Sequence, residues 1–238
     1  MWLYRTSGDT IRPIVLFDYQ PGRGACYPKA FLKDFRGYLH TDGYDVYHSL
    51  PDEITVVGCW AHARRKFDEA MKSLPKGKAK NSSAAQGLAY CNLLFKMEEG
   101  LADLPPKERY DQRLEQAKPV LDALLAWANT RTAAPKSSLG KALSYLKEQW
   151  LYLLNYLKDG RLELSNNRAE RSIKPFVIDR KNFLFANTPS GAKSSAVIFS
   201  LIQTAIENGL DPYRYLTWLL SSAPEMDLAQ PDVVRSLL

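Results

Sequence analysis

The chain has 238 residues, of which 45% are hydrophobic and 24% charged, and its formal net charge is +6. These proportions are typical of an ordinary soluble globular protein, and the positive charge favours polyanionic partners. No apolar run approaches the roughly 20 residues that cross a bilayer, and the first residues lack the pattern of a signal peptide. Three cysteines are too few for a disulfide framework, so we expect a cytoplasmic protein that has no membrane contact.

The first sixty residues alternate between strand-like and helix-like patterns. Two apolar, β-branched runs flank a Ser-Gly-Asp turn and predict a hairpin of strands over 1–6 and 12–19. A short helix is predicted over 30–35, with Phe31, Leu32 and Phe35 on one face, and a helical turn over 45–50. Further strands are predicted over 37–41 and 54–60. This order of elements indicates a mixed α/β sheet.

The character of the sequence changes after residue 61. Apolar residues recur at helical spacing over 61–74, 84–104, 108–129 and 139–158, with prolines at the breaks. We find no convincing strand before residue 163, and we expect 68–162 to be an all-helical insertion. Two more helices are predicted over 194–208 and 212–220, and the tail over 223–238 is predicted to be peripheral.

One segment places a single acid among many bases. The sequence from Ser165 to Phe185 surrounds Glu170 with Arg168, Arg171, Lys174, Arg180 and Lys181. Lysine and arginine neutralise phosphates, and carboxylate oxygens hold Mg²⁺, so the pattern suits a site for nucleic acid and a cation. A structural reading is also open. Asn167 and Glu170 have the spacing of a helix-capping box, and Asn166 precedes them.

A second acid lies at the end of a predicted strand. Asp42, in the motif GYLHTDGYDVY, directly precedes a glycine. Ligands gather at the carboxyl ends of strands in open α/β sheets, which favours a functional aspartate. Asp-Gly is also a common turn, so Asp42 as a plain turn residue is the alternative.

Cys59 and His62 form a Cys-x-x-His pair, followed by the basic residues Arg64 and Arg65. Structural zinc needs four ligands, and the other cysteines and histidines are not suitably spaced. A buried thiol and a histidine in a first helical turn therefore compete with a metal site. We expect Arg64 and Arg65 to reach DNA or the acidic residues; solvation of the helix is the alternative.

Three motifs together resemble one known family. GYLHTDGYDVY at 37–47, VGCWAHARRKF at 57–67 and LSNNRAERSIKPFVIDRKNFLF at 164–185 are similar to the DDE transposases of the insertion sequence 66 group. The end of the chain, NGLDPYRYLTWLL at 208–220, also looks like that family. The resemblance implies a ribonuclease H-like catalytic core, with Asp42 as the second acid of the triad and Glu170 as the third.

The resemblance also implies a domain plan and a chemistry. Residues 1–67 and 163–222 would form the ribonuclease H-like core, 68–162 its helical insertion, and 223–238 a peripheral tail. The family cleaves and joins DNA strands by phosphoryl transfer with two Mg²⁺ or Mn²⁺ ions, on terminal inverted repeats and target DNA. Accessory transposition proteins, and a homo-oligomer on DNA, are further partners that the resemblance implies.

The match is incomplete at one end. The family's first aspartate lies on a strand shortly before the hairpin, and this chain has no counterpart of that strand. Asp18 is the only acid at the end of an upstream strand, and it corresponds to a non-catalytic position. We therefore expect a truncated transposase with impaired activity. A catalytically dead module that binds DNA or a partner, and a ribonuclease H-like nuclease, remain as alternatives.

Overall fold

The computed structural model describes residues 1–75, 77–183 and 186–225. Its strands are β1 (Trp2–Arg5), β2 (Val15–Asp18), β3 (Gly37–His40) and β4 (Ile54–Val57). Its helices are α1 (Cys26–Phe31), α2 (Trp60–Lys72), α3 (Ser83–Gly100), α4 (Pro106–Gln112), α5 (Lys118–Asn129), α6 (Ser138–Glu148), α7 (Trp150–Leu154), α8 (Asn167–Phe183), α9 (Pro189–Glu207) and α10 (Pro212–Ser222). A π-helical segment, Arg113–Ala117, joins α4 to α5, and short 3₁₀ turns occupy Asp45–Ser49, Asn155–Lys158 and Ala223–Glu225.

The described residues divide into two compact units. The hairpin unit consists of Met1–Arg23 and the described part of Asn167–Leu238, so it holds β1, β2 and helices α8 to α10. The helical unit is Gly24–Asn166, which holds β3, β4 and helices α1 to α7.

The predicted hairpin is confirmed. β1 and β2 pair antiparallel, with Trp2 opposite Asp18 and Arg5 opposite Val15. Hydroxyl groups of α9 cover the outer edge of β2: Val15 N donates to Thr204 Oγ1 at 3.0 Å, and Phe17 N donates to Ser200 Oγ at 2.8 Å. These two hydroxyls, one helical turn apart, satisfy the edge amides that a third strand would otherwise bind.

A small apolar core lies between the hairpin and α9. Val15, Phe17 and Ala196 are buried in it. The Phe17 ring lies 5.7 Å from the ring of Phe176 and 5.9 Å from that of Phe199, in the tilted arrangement that aromatic rings prefer.

The other pair of strands lies in the helical unit. β3 and β4 are parallel, with Gly37 beside Ile54 and His40 beside Val57. The buried strand expected over 54–60 ends earlier, because α2 begins at Trp60. Asn155 Nδ2 donates to Val56 O at 2.7 Å and so covers the outer edge of β4.

The helical unit has an extended apolar core. It runs from Val57 to Leu164 and includes the fully buried side chains of Trp60, Phe67 and Leu146. Helical structure dominates 61–162, and within the described part of that range there is no strand, as expected. The apolar residues that recur over 143–157 belong to this core.

A buried arginine ties the helical segments together. Arg113 is 0% exposed and lies in the π-helical segment. Its guanidinium pairs with Glu98 and donates to the carbonyl oxygens of Tyr156 at 3.1 Å and Asp159 at 2.9 Å. The group therefore has the partners that a buried charge requires.

Two further predicted element boundaries were wrong. The helix expected over 30–35 is α1, which begins at Cys26, because Pro28 fits a first helical turn, where a missing N–H costs nothing. Of its supposed buried face only Leu32 is buried, and Phe31 and Phe35 are 43% and 37% exposed. The helix expected over 139–158 is interrupted at Gln149 between α6 and α7.

The architecture is mixed α/β, as predicted, but the single sheet is not observed. The described residues form two separate two-stranded sheets, β1 with β2 and β3 with β4. Within the part of the chain that the structure describes, no helix is long and apolar enough to span a membrane. Of the predicted peripheral tail, only 223–225 is described, and the remainder lies outside the described residues.

Candidate functional site

Asp42 lies directly after the carboxyl end of β3, and its side chain is exposed. Its Oδ1 accepts a hydrogen bond from Tyr44 N at 3.0 Å, the contact expected of an aspartate in a turn. Among the described residues, Oδ2 has no hydrogen-bond partner. The carboxylate therefore serves the turn with one oxygen and presents the other to solvent.

The carboxyl-terminal end of helix α6 packs against this turn. Gly43 has φ +83°, and a Cβ added there would lie 2.9 Å from Tyr145 Oη and 3.1 Å from Gln149 Oε1. Tyr145 Oη donates to Asp42 O at 3.4 Å. Burial raises the pKa of Tyr145, and the charges of Cys59 and Asp42 add to that shift. The positive φ favours glycine after Asp42, and any side chain there would also require the ends of Tyr145 and Gln149 to shift.

The predicted basic pair follows on α2. Arg64 and Arg65 are both exposed. Arg64 Nε donates to Asn92 Oδ1 at 2.6 Å, which ties the Arg64 side chain to α3. Arg64 thus has a structural partner, and α2 itself is fixed by its buried residues Trp60, Ala63, Phe67 and Ala70.

Cys59 and His62 flank the start of α2. Cys59 is fully buried and His62 is half-buried, and His62 N donates to Cys59 O at 3.2 Å, as in a first helical turn. The nearby His40 ring binds Gly58 O through Nε2 at 3.0 Å. Desolvation lowers the pKa of His40 to about 4, so this ring is neutral near pH 7.

Glu170 lies in the first turn of α8 and is half-buried. The helix begins at Asn167, so Asn167 is its first residue and not its cap, and Glu170 is its fourth residue rather than the third that the predicted capping box requires. Asn166 Oδ1 is buried and accepts no hydrogen bond from the described residues. A carboxylate in a first helical turn is favourably placed with respect to the helix dipole.

The predicted basic residues lie along the same helix. Arg168 is half-buried, and Arg171, Lys174 and Lys181 are exposed. At about 100° per residue, Arg171, Lys174 and Lys181 all lie within about 100° of Glu170 around a regular helix. The backbone of Arg180 belongs to α8, but its side chain lies outside the described residues. The acid and the bases therefore share one helix face, which we call the α8 charged face (Glu170, Arg171, Lys174 and Lys181).

Helix α8 is anchored by Arg5 and Glu207, two residues that the sequence did not single out. Arg5 of β1 donates to both carboxylate oxygens of Glu207, at 3.1 and 2.8 Å, and to Ser172 Oγ at 2.6 Å. It also donates to Arg168 O at 3.3 Å, one turn from Glu170. Hydrogen bonding to Arg5 is the main reason that the pKa of Glu207 lies below its ordinary value. A charged residue within the apolar run of β1 was the available signal.

The donor set fits a weakly held cation at most. Across 1–75, 77–183 and 186–225, no three His, Cys, Asp or Glu side chains are grouped so that they could hold a metal ion. Asp42 belongs to the helical unit and Glu170 to the hairpin unit, and each offers carboxylate oxygen. Mg²⁺ keeps several of its waters and is often held through one or two carboxylates, so either carboxylate by itself suits at most a largely hydrated ion.

Comparison with known proteins identifies the family. The sequence model described as "Transposase IS66 family" matches residues 1–194, and the one described as "IS66 C-terminal element" matches residues 200–233. No solved structure matches the chain.

Similar proteins occur in Sinorhizobium fredii (strain NBRC 101917 / NGR234). The uncharacterized protein y4qI is 30% identical over an alignment of 236 residues, and the match covers 93% of this chain and 43% of that protein. The uncharacterized protein y4hP is 29% identical over an alignment of 240 residues, and the match covers 93% of this chain and 44% of that protein. This chain thus spans less than half the length of the curated relatives that it matches. Since the family model covers most of the chain, the protein belongs to the IS66 family of transposases.

Proposed function

We propose that this chain contributes to DNA strand cleavage and strand transfer by a bacterial insertion-sequence transposase. The observation that carries the proposal is the α8 charged face, where one half-buried carboxylate lies among exposed bases. Family membership and the exposed Asp42 at the end of β3 support it. The substrates would be the terminal inverted repeats and target DNA, and the protein would act in the cytoplasm.

In this proposal Asp42 and Glu170 are ligands of Mg²⁺ or Mn²⁺ within a ribonuclease H-like core, and 68–162 is its helical insertion. A bound divalent cation supplies charge stabilisation to the oxygens that attack and leave in phosphoryl transfer. The protein residues do the rest. The turn held by Gly43 and Tyr145 orients Asp42, and Arg5 orients the first turns of α8 through Ser172 and the carbonyl of Arg168.

The bases of the α8 charged face would neutralise phosphates, and these contacts position DNA without reading its sequence. Arg64 and Arg65 would add contacts from α2. Further partners that we propose are accessory transposition proteins and a second copy of the chain on DNA. We assign Cys59 and His62 a structural role, because the thiol is buried at the start of a helix.

The basic residues are tested by the salt dependence of DNA binding. Arg171→Gln with Lys174→Gln should reduce the slope of log K against log salt by up to about 1.8, because each phosphate contact contributes about 0.9. The matched control is Lys29→Gln with Lys33→Gln, which removes the same charge from exposed positions on and after α1. Equal slopes for the two double variants would remove α8 from the DNA interface.

The acids are tested by cation binding and by chemistry. Mn²⁺ titration followed by water proton relaxation should show weak binding that Asp42→Asn and Glu170→Gln each reduce. Because two carboxylates hold cations weakly, we expect the 238-residue chain to have little strand-transfer activity on terminal-repeat DNA. Strong cleavage that survives both substitutions would refute the assignment of the acids.

A DNA-binding module without catalysis is the second candidate. It is favoured by the lack of a three-carboxylate group among the described residues. Such a module would keep its DNA affinity in Asp42→Asn and Glu170→Gln and would have no cleavage to lose. Cleavage of an RNA–DNA hybrid that disappears in both variants would instead indicate a ribonuclease H-like nuclease.

A further inference from the structure

A cavity in the hairpin unit has no part in the proposed chemistry. It measures about 410 Å³ and lies where the end of β2 meets α9, within the range typical of small-molecule sites. Its walls combine apolar and aromatic surface from Phe17, Tyr19 and Val197 with three polar side chains. Such a lining, mainly apolar with a few polar groups, is characteristic of ligand-binding pockets.

The polar groups are Asp18, Gln20 and Lys193. Gln20 Nε2 donates to both Asp18 carboxylate oxygens, at 3.1 and 3.0 Å. A single nitrogen of Gln20 therefore contacts both oxygens of Asp18. A carboxylate can instead accept two parallel hydrogen bonds from two separate donors. Lys193 is exposed and has no ion-pair partner within the described part of the chain. A ligand with two donors would displace the Gln20 amide from Asp18, and the cavity then offers it a two-pronged acceptor beside the uncommitted positive charge of Lys193.

These groups match one nucleobase better than the others. On its Watson–Crick edge guanine carries two adjacent donors, N1–H and the N2 amino group. Adenine and cytosine present one donor beside an acceptor, and thymine presents one donor between two acceptors. A carboxylate can therefore bind guanine through two parallel hydrogen bonds, and it repels the acceptors of the other bases. Tyr19 and Val197 provide aromatic and apolar surface for the base, and Lys193 suits its phosphate.

We propose that this cavity binds a guanine nucleotide whose base is unpaired, with Asp18 reading the base and Lys193 holding the phosphate. In duplex DNA the Watson–Crick edge is occupied, so the site would select a base that is single-stranded or extruded from the helix. The inference depends on the proposed function in one respect: the nucleotide is taken to be part of DNA. Asp18, which has no role in the proposed catalysis, thereby gains one.

Binding of mononucleotides to the full 238-residue chain tests the site. Titration with dGMP, dAMP, dCMP and dTMP, followed by NMR or calorimetry, should show dGMP bound at least about tenfold more tightly than the others, as for a good bidentate base contact. Asp18→Asn should abolish this preference, since an amide presents one donor and one acceptor. Asp9→Asn, the same change at an exposed position of the hairpin turn, should leave it intact.

A second variant separates the phosphate contact from the base contact. Lys193→Met should remove the difference in affinity between dGMP and deoxyguanosine, with no change in thermal unfolding because Lys193 is exposed. A single-stranded oligonucleotide that contains one dG should bind through Asp18, and the same oligonucleotide in a duplex should not. Binding of free GMP but not of the oligonucleotide would overturn DNA as the source.

Equal binding of all four nucleotides, or a guanine preference that survives Asp18→Asn, would overturn the site. None of these measurements involves Asp42, Glu170 or strand cleavage. Their failure would thus leave the proposed transposase function untouched, and failure of the cation-binding tests would leave the guanine site standing.

Discussion

The helical unit and the hairpin unit are each stabilised internally, but by different kinds of contact. The helical unit has an extended apolar core, which several helices share from Val57 to Leu164. The hairpin unit has a much smaller apolar cluster, built on Val15, Phe17 and Ala196, and relies more on directional bonds. Arg5 joins β1 to α8 and α9, and the hydroxyls of Ser200 and Thr204 bind the edge of β2.

The difference has a physical consequence. Burial of apolar surface depends weakly on direction, so an extended core spreads its stability over many side chains. A hydrogen bond depends on geometry, and its loss leaves a buried polar group unsatisfied. We expect the helical unit to respond most to cavities and to loss of its buried Arg113–Glu98 pair, and the hairpin unit to lose its directional bonds one at a time, each at a small cost. The following experiments examine that contrast, each with hydrogen exchange to report on the two units separately.

Arg113→Ala should have the largest effect, although it lies in the apolar unit. Removing the guanidinium leaves Glu98 and several carbonyl groups without their partner, which costs about 3–5 kcal/mol for a broken buried ion pair. Urea unfolding followed by tryptophan fluorescence measures it. Lys118→Ala breaks the exposed pair with Asp122 and should cost no more than about 1 kcal/mol. Equal costs would show that the buried pair is dispensable.

Leu146→Ala should destabilise the helical unit by about 2–5 kcal/mol, because it leaves a cavity in a fully buried part of the core. Faster amide exchange should be concentrated in α2 and α6. Leu151→Ala is the matched control, since Leu151 is 74% exposed and its loss creates no cavity. If exchange rose first in α9, the division into separate cores would be wrong.

Acidification should loosen the helical unit before the hairpin unit. The pKa of His40 is lowered from 6.5 to about 4 by desolvation, so between these values the unfolded chain binds a proton that the folded chain does not. Stability therefore falls as the pH falls through this window, by roughly 2 kcal/mol between pH 7 and pH 5. Urea midpoints across that range, with His40→Gln as the comparison, measure the effect.

The hairpin unit has a proton linkage of the same sign, but in a lower pH window. Hydrogen bonds from Arg5 lower the pKa of Glu207 below its ordinary value of 4.5, so its contribution is complete above that pH. It is lost only as the pH falls further, through the folded pKa. Simultaneous loosening of both units near pH 6 would contradict this order.

The smallest effect is expected at the edge of β2. Ser200→Ala and Thr204→Val should each cost about 1 kcal/mol, the typical net worth of one hydrogen bond, because Phe17 N and Val15 N lose their acceptors. Exchange of those two amides should rise most. Thr217→Val, which removes an exposed hydroxyl on α10, should leave them unchanged.

Much of the fold could be predicted from local patterns. The hairpin follows from a Gly-containing turn between β-branched runs, and the helices of 61–162 follow from apolar spacing. The motifs around Asp42 and Glu170 were sufficient to predict the family, which the comparisons confirmed. The roles of Asp42, Glu170 and the basic residues stay predictions.

The contacts between distant segments could not be predicted in this way. Arg5 and Glu207 are far apart in sequence, and nothing near either residue indicates that they pair. The same holds for Arg113 with Glu98, and for the cavity that joins Asp18 to Lys193.

Turns, caps and amphipathic faces depend on neighbours along the chain, so residue order was enough to specify them. Which charges are buried, which strand edge a helix covers and which side chains enclose a cavity depend on where whole elements pack. Those outcomes emerge only when burial has fixed the elements in space, because the strength of a polar contact depends on its geometry and on how much water is excluded.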